Sequence, residues 1–277
     1  MATYRDYYFK LKNHGDKKIF TETVIFSLLM DVSSLDKVAL TLAFDTPVKD
    51  EEKLNDYIAK IESGIPYQYV LGYVEFLGEK YYVDENVLIP RLETEELVEN
   101  TRDLIEKYFK NQHISILDMC SGSGIIGISL SKKFDASIDM VDISENANKI
   151  AKKNIELHKT NINIIQSNLF SDLPLKKYDV IVSNPPYIKD ESTVDISTLK
   201  HEPHLALFAS PQTYFYEEIF KQKDIYYKDK YILAFEIDED MENDLTRLVK
   251  QYFKDEATYF FKKDLYLKTR YLFIIKE

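Results

Sequence analysis

The chain has 277 residues, 45% of them hydrophobic and 30% charged, with a formal net charge of -11. That length accommodates one large domain or two with separate cores, and the acidic balance argues against a phosphate backbone as the main partner. The single cysteine, Cys120, excludes an internal disulfide and a cysteine-cluster metal site, and the lack of a leader pattern or a bilayer-length apolar run points to a cytoplasmic protein off the membrane.

Residues 1–65 read as a small helical bundle. Val24, Ile25, Leu28 and Leu29 recur at helical spacing, and so do Leu54, Tyr57, Ile58 and Ile61, ahead of the stop signal Ser63-Gly64. The apolar segment between them, with Leu35, Val38, Leu40, Leu42 and Phe44, is read as helical too. Residues 66–90 change character: two strand-like runs, 73–77 and 80–84, flank a tight turn at Gly78-Glu79. This hairpin links the bundle to residues 91–277. A helix is expected next over 93–109, its first turn carrying Glu93, Glu95 and Glu96 at the positive end of the dipole.

From Ile114 strands and helices alternate, which implies a mainly parallel sheet covered on both faces. Strands are expected at 114–117, 137–141, 163–166, 178–183 and 231–237, with helices at 124–134, 144–158, 214–226 and 241–253. Residues 258–261 and 270–275 pair as a closing antiparallel hairpin.

Four stretches carry chemistry. The chain holds 7 glycines, yet Gly122, Gly124 and Gly127 lie within six positions, in a loop between strand and helix. That loop, Asp118-Met119-Cys120-Ser121-Gly122-Ser123-Gly124, suits close approach of a ligand to backbone, or is simply a tight turn. Asp142 closes the next strand, where an acid can accept hydrogen bonds from both hydroxyls of a ribose. Loop and acid in register favour an adenosine-containing cofactor. Asp118 either reaches the amino-acid end of such a cofactor or caps the loop. Asn168 and Leu169, after the third strand, border the base or form an ordinary loop. The fourth strand ends in Asn184-Pro185-Pro186-Tyr187. Two prolines cannot continue a ladder and they stiffen the turn. The Asn amide and the Tyr ring suit a planar group that carries an NH2.

Together these residues resemble the class I S-adenosyl-L-methionine-dependent methyltransferases that act on planar nitrogen. The resemblance narrows over residues 66–72, 75–78 and 87–95 and over His201-Glu202-Pro203-His204-Leu205-Ala206-Leu207-Phe208, which look like the HemK/PrmC family of release factor N5-glutamine methyltransferases. This chain departs from the family pattern at Leu92, usually proline, at Cys120, often glycine, at Asn168, often an acid, and at Asp238, usually glycine.

The resemblance implies an α/β fold with a Rossmann-like, mainly parallel seven-stranded sheet. It implies S-adenosyl-L-methionine as cofactor, held by Asp118, Cys120, Ser121, Gly122, Ser123, Gly124, Asp142, Asn168, Leu169 and Asn184. Catalysis falls to Asn184, Pro185, Pro186 and Tyr187. The implied substrate is the glutamine of the Gly-Gly-Gln loop in class-1 release factors. From its position ahead of the hairpin, the N-terminal bundle is expected to dock the factor. The expected protein is a monomer with no metal and no direct DNA partner. From its position, Arg91 is expected to line the mouth near the acceptor. An adenine-N6 nucleic-acid methyltransferase is the alternative, and it calls for a basic groove that the charge of -11 disfavours. A non-catalytic cofactor-binding protein is a third class, for which an amide clamp has no use.

Overall fold

The structure is a computed structural model that describes residues 2–277. The chain divides into two compact units, Met1–Tyr73 and Val74–Glu277.

The first unit is helical: α1 (Tyr4–Lys12), α2 (Glu22–Ser33), α3 (Lys37–Leu42), α4 (Glu51–Glu62) and α5 (Tyr67–Leu71). Side chains start four of them. Thr3 and Asp6 form a capping box, and Thr21, Asp36 and Asp50 accept from backbone N–H groups of the turns they open. The apolar faces read from the sequence meet in one core, in which Leu11, Ile25, Leu28, Leu29 and Leu54 are buried. Tyr67, Val70 and Leu71 of α5 pack on the same core.

Further along the chain, β1 (Tyr73–Phe76) and β2 (Glu79–Tyr82) form a hairpin, and α6 (Leu92–Tyr108) comes after it. Then come β3 (Ile114–Met119), α7 (Ile125–Ser131), β4 (Ala136–Asp142), α8 (Glu145–His158), β5 (Asn163–Gln166) and β6 (Tyr178–Ser183). Next are α9 (Ile196–His201), α10 (Tyr214–Phe220), α11 (Lys223–Tyr226), β7 (Tyr227–Glu236), α12 (Glu242–Phe253), β8 (Thr258–Lys263) and β9 (Thr269–Lys276). The helix expected over 214–226 is two: the N–H of Gln222 turns to the carbonyl of Ile219 and tightens the last turn of α10. This frees Tyr226 and Tyr227 to enter the core, where their hydroxyls donate to the carbonyls of Leu173 and Ile219.

Seven strands form one sheet in the order β5-β4-β3-β6-β7-β9-β8. The first five are parallel, while β9 pairs antiparallel with both β7 and β8. This is the mainly parallel seven-stranded sheet that the resemblance implies. Every residue of β3 and β6 is buried, as central strands covered on both faces must be. The chain runs outward from β3 to β5, then crosses back to β6 on the other side of β3. That reversal opens a crevice at the carboxyl ends of β3 and β6. The hairpin is tied to this unit by Asn154 of α8, whose amide accepts from the N–H of Tyr82 and donates to the carbonyls of Tyr82 and Ser123. Among the described residues no helix is long and apolar enough to cross a membrane.

Candidate active site

The crevice is built from the loops at the carboxyl ends of the strands. After β3 the backbone takes left-handed conformations at Cys120 (φ 61), Gly122 (φ 53) and Gly124 (φ 77). A Cβ built on Gly122 would meet nothing within 4 Å, so the loop is open to a ligand there. Gly124 is different: its Cβ would lie 2.8 Å from Cε of Met140, so glycine lets α7 pack close on β4. Cys120 adopts a conformation that favours glycine, and burial pushes its thiol well above the ordinary pKa.

Beneath the loop, Asp118 is fully buried. Its Oδ2 accepts from the N–H of Gly127 at 2.8 Å, while Oδ1 is buried without a partner. Burial raises its pKa to about 7, against the pull of that one hydrogen bond. Asp142, at the end of β4, accepts from Gly122 N–H at 2.8 Å and from Ser144 N–H at 2.9 Å, one on each oxygen. Burial raises its pKa as well, opposed by these N–H groups. Both oxygens keep further lone pairs for a ligand. Asn168 is exposed, and Leu169 is buried with φ 51.

At the end of β6, Pro185 and Pro186 are buried. Asn184 donates from Nδ2 to Oγ1 of Thr94 at 3.2 Å, and Thr94 donates to Oε2 of Glu236 at 2.8 Å. The Tyr187 hydroxyl donates to the other oxygen of Glu236 at 3.1 Å. Glu236 is buried at the end of β7, which raises its pKa, while these two hydroxyls and Arg270 favour its charged form. One cleft is lined jointly by Cys120, Ser121, Gly122 and Ser123, by Asp142, by Asn168 and Leu169, and by Asn184 and Pro186.

The pattern of the methyltransferase small domain family matches residues 94–201. A release factor glutamine methyltransferase of Flavobacterium psychrophilum is 34% identical over 254 residues, covering 88% of each chain. One of Fusobacterium nucleatum is 38% identical over 250 residues, covering 87% of this chain and 69% of its own. The chain belongs to the release factor glutamine methyltransferase family. Solved structures agree on the fold. A methyltransferase from Pyrococcus furiosus superimposes with a TM-score of 0.53 at 15% identity, over 80% of this chain and 98% of its own. A 16S rRNA methyltransferase of T. Thermophilus, in complex with AdoMet and guanosine, gives 0.54 at 14%, over 74% of this chain and 50% of its own.

In this family member, Asp118, Gly124, Pro185 and Tyr187 stand outside the residues that line the cleft. Asp118 and Gly124 support the loop from below, and Tyr187 is held at its hydroxyl by Glu236. Sequence reading missed Thr94, Glu236 and Asn154 as supports of the site, although Thr94 lies inside a stretch that resembles the family. It also missed the second wall of the cleft, where Val87, Leu88 and Pro90 join Pro203, Leu205 and Ala206. Two residues join the halves of that wall. Arg91 pairs with Glu202, whose other oxygen accepts from the N–H of Ile89 at 3.0 Å. Arg91 therefore has a partner within the fold, and Glu202, a loop residue in sequence, is buried.

Proposed function

We propose that this chain methylates N5 of the glutamine in the Gly-Gly-Gln loop of class-1 release factors, with S-adenosyl-L-methionine as donor. What carries the reading is that Asn184 and Pro186 line the same cleft as Gly122 and Asp142, in a chain of the release factor glutamine methyltransferase family. The residues suit the cofactor. Gly122 leaves room against the backbone, Asp142 has acceptor capacity for two ribose hydroxyls, and the unpartnered Oδ1 of Asp118 suits a cationic group. Asn168 and Leu169 border the base.

When bound, S-adenosyl-L-methionine supplies a methyl group activated on a sulfonium. The work of the protein is to present the acceptor. An amide nitrogen is a poor nucleophile because its lone pair is delocalised into the carbonyl. Oδ1 of Asn184 and the carbonyl of Pro185 accept its two hydrogens, which favours pyramidal nitrogen with the lone pair directed along the transfer line. Pro186 and Tyr187 pack on the amide plane. Positioning and charge complementarity supply the rate, and the proton leaves afterwards to water. The protein acts in the cytoplasm as a monomer, without a DNA partner.

The test is transfer of labelled methyl from S-adenosyl-L-methionine to purified release factor or to DNA, with mass mapping of the product. Label on the glutamine is expected, and label on DNA alone would overturn the reading. Asn184→Ala is expected to lower kcat by about a hundredfold and to weaken cofactor binding far less. Equal losses in both would count against the assigned role of Asn184.

A further inference from the structure

Asn184 can grip a substrate N–H only if its amide oxygen, and not its NH2, faces the cleft. The two ends of an amide have nearly the same shape, so the choice must come from its neighbours. The neighbour here is a hydroxyl, which can donate or accept. Thr94 has one hydrogen, and Oε2 of Glu236 lies 2.8 Å from its Oγ1. Oε1 of the same carboxylate lies 3.1 Å from the Tyr187 hydroxyl. An ionised carboxylate only accepts, so both hydroxyls donate to it. Arg270 of β9 supplies the compensating positive charge. Thr94, its hydrogen spent on Glu236, offers Asn184 a lone pair only. Nδ2 of Asn184 then faces Thr94 at 3.2 Å, and among the described residues no donor reaches Oδ1.

We propose that Thr94 and Glu236 are positioning residues for methyl transfer: the relay Glu236–Thr94 sets the orientation of the Asn184 amide, and the same carboxylate anchors Tyr187. This inference rests on the proposed glutamine methylation. It goes beyond it by assigning roles to two residues, on α6 and β7, that lie outside the Asn-Pro-Pro-Tyr turn and act through Asn184 and Tyr187. Were the relay reversed, with a proton on Glu236 donated to Thr94, the Thr94 hydrogen would turn to Asn184 and bring its NH2 round to the cleft. Two N–H groups would then face each other across the acceptor site.

The test compares the full-length protein with Thr94→Val, Thr94→Ser and Glu236→Gln, using S-adenosyl-L-methionine and an intact class-1 release factor. Thr94→Val and Glu236→Gln are expected to lose about tenfold or more in kcat, with the KM for cofactor within about twofold. Thr94→Ser, which keeps the hydroxyl, is expected to retain at least about half of the activity. Wild-type kcat in Thr94→Val, or equal losses in the Ser and Val variants, would overturn the proposal. If Thr94→Val does not fold, Thr94→Ser and Glu236→Gln decide it alone: a fall in Ser matching that in Gln overturns it. A second readout needs no substrate. The side-chain amide resonances of Asn184, assigned by their loss in Asn184→Asp, are expected to shift in Glu236→Gln and not in Thr94→Ser. Resonances that ignore Glu236→Gln would also overturn the inference. If the relay variants shift these resonances as expected while the wild type never labels release factor, the reading of function fails and the relay stands.

Discussion

Asp118 combines a buried carboxyl with one unpartnered oxygen and a pKa near 7. Because that value lies above the 3.8 of a free aspartate, the folded state binds the proton more tightly than the unfolded chain. Its contribution to stability is therefore complete below the unfolded pKa and is lost as the pH rises through about 7. A cationic ligand reverses the preference, since it draws out the carboxylate. Affinity for S-adenosyl-L-methionine is thus expected to rise between about pH 6 and about pH 8, and Asp118→Asn to flatten that rise, as read by calorimetric titration. A flat wild-type profile would remove Asp118 from the cofactor's cationic end. Gly124 makes a purely steric prediction. An added methyl meets only the movable end of Met140 at 2.8 Å, but it places a Cβ in a backbone with φ 77, so Gly124→Ala is expected to cost about 1–2 kcal/mol in denaturant unfolding. The glycine loop, Asp142 and the Asn-Pro-Pro-Tyr turn were legible because each is a contiguous signal at a strand end. Thr94 and Glu236 were not, since their meaning arises from a contact between residues 142 apart in the chain.

Elements meet in the same way across the cleft. The segment entering α6 and the segment leaving α9 are joined into one wall by Glu202, which accepts from both Arg91 and the N–H of Ile89. The two substitutions of this pair are not equivalent. Arg91→Ala leaves a buried carboxylate with a single N–H donor, whereas Glu202→Ala leaves a guanidinium that is 39% exposed and can turn to water. Arg91→Ala is therefore expected to be the more destabilising, by about 1–3 kcal/mol, and both are expected to raise the KM for cofactor as the wall loosens. Equal melting temperatures for the two variants would contradict this asymmetry. Most elements were readable from hydrophobic period and caps, but β7 begins at Tyr227 where residue 231 was expected, α7 ends at Ser131 where 134 was expected, and the short helices α5 and α9 were not read at all. The one helix that broke, at Gln222, did so because Tyr226 and Tyr227 are buried on the next element, which a helical period cannot reveal.

At the scale of the molecule, strand–helix alternation foretold the parallel sheet, but not the placement of β9 between β7 and β8, because pairing order is set by long-range contacts. The helical unit has its own core, and every residue lining the cleft lies in Val74–Glu277. We propose that the helical unit docks the release factor. Deleting residues 1–71 is then expected to raise the KM for intact factor by about tenfold while leaving cofactor affinity unchanged. An unchanged KM would defeat the docking role.

The place of β9 bears on how the enzyme comes to life during synthesis. Strand β7, which ends in Glu236, has β6 on one side and β9 on the other. Residues up to Ser183 and Tyr187 can leave the ribosome carrying the glycine loop and the Asn-Pro-Pro-Tyr turn, and still lack the carboxylate to which Tyr187 and Thr94 donate. When Glu236 emerges, its strand presents an open edge until residues 269–276 arrive with Arg270. A nascent chain thus holds the Asn-Pro-Pro-Tyr turn for about 50 further residues before Glu236 joins it, and for longer before Arg270 does.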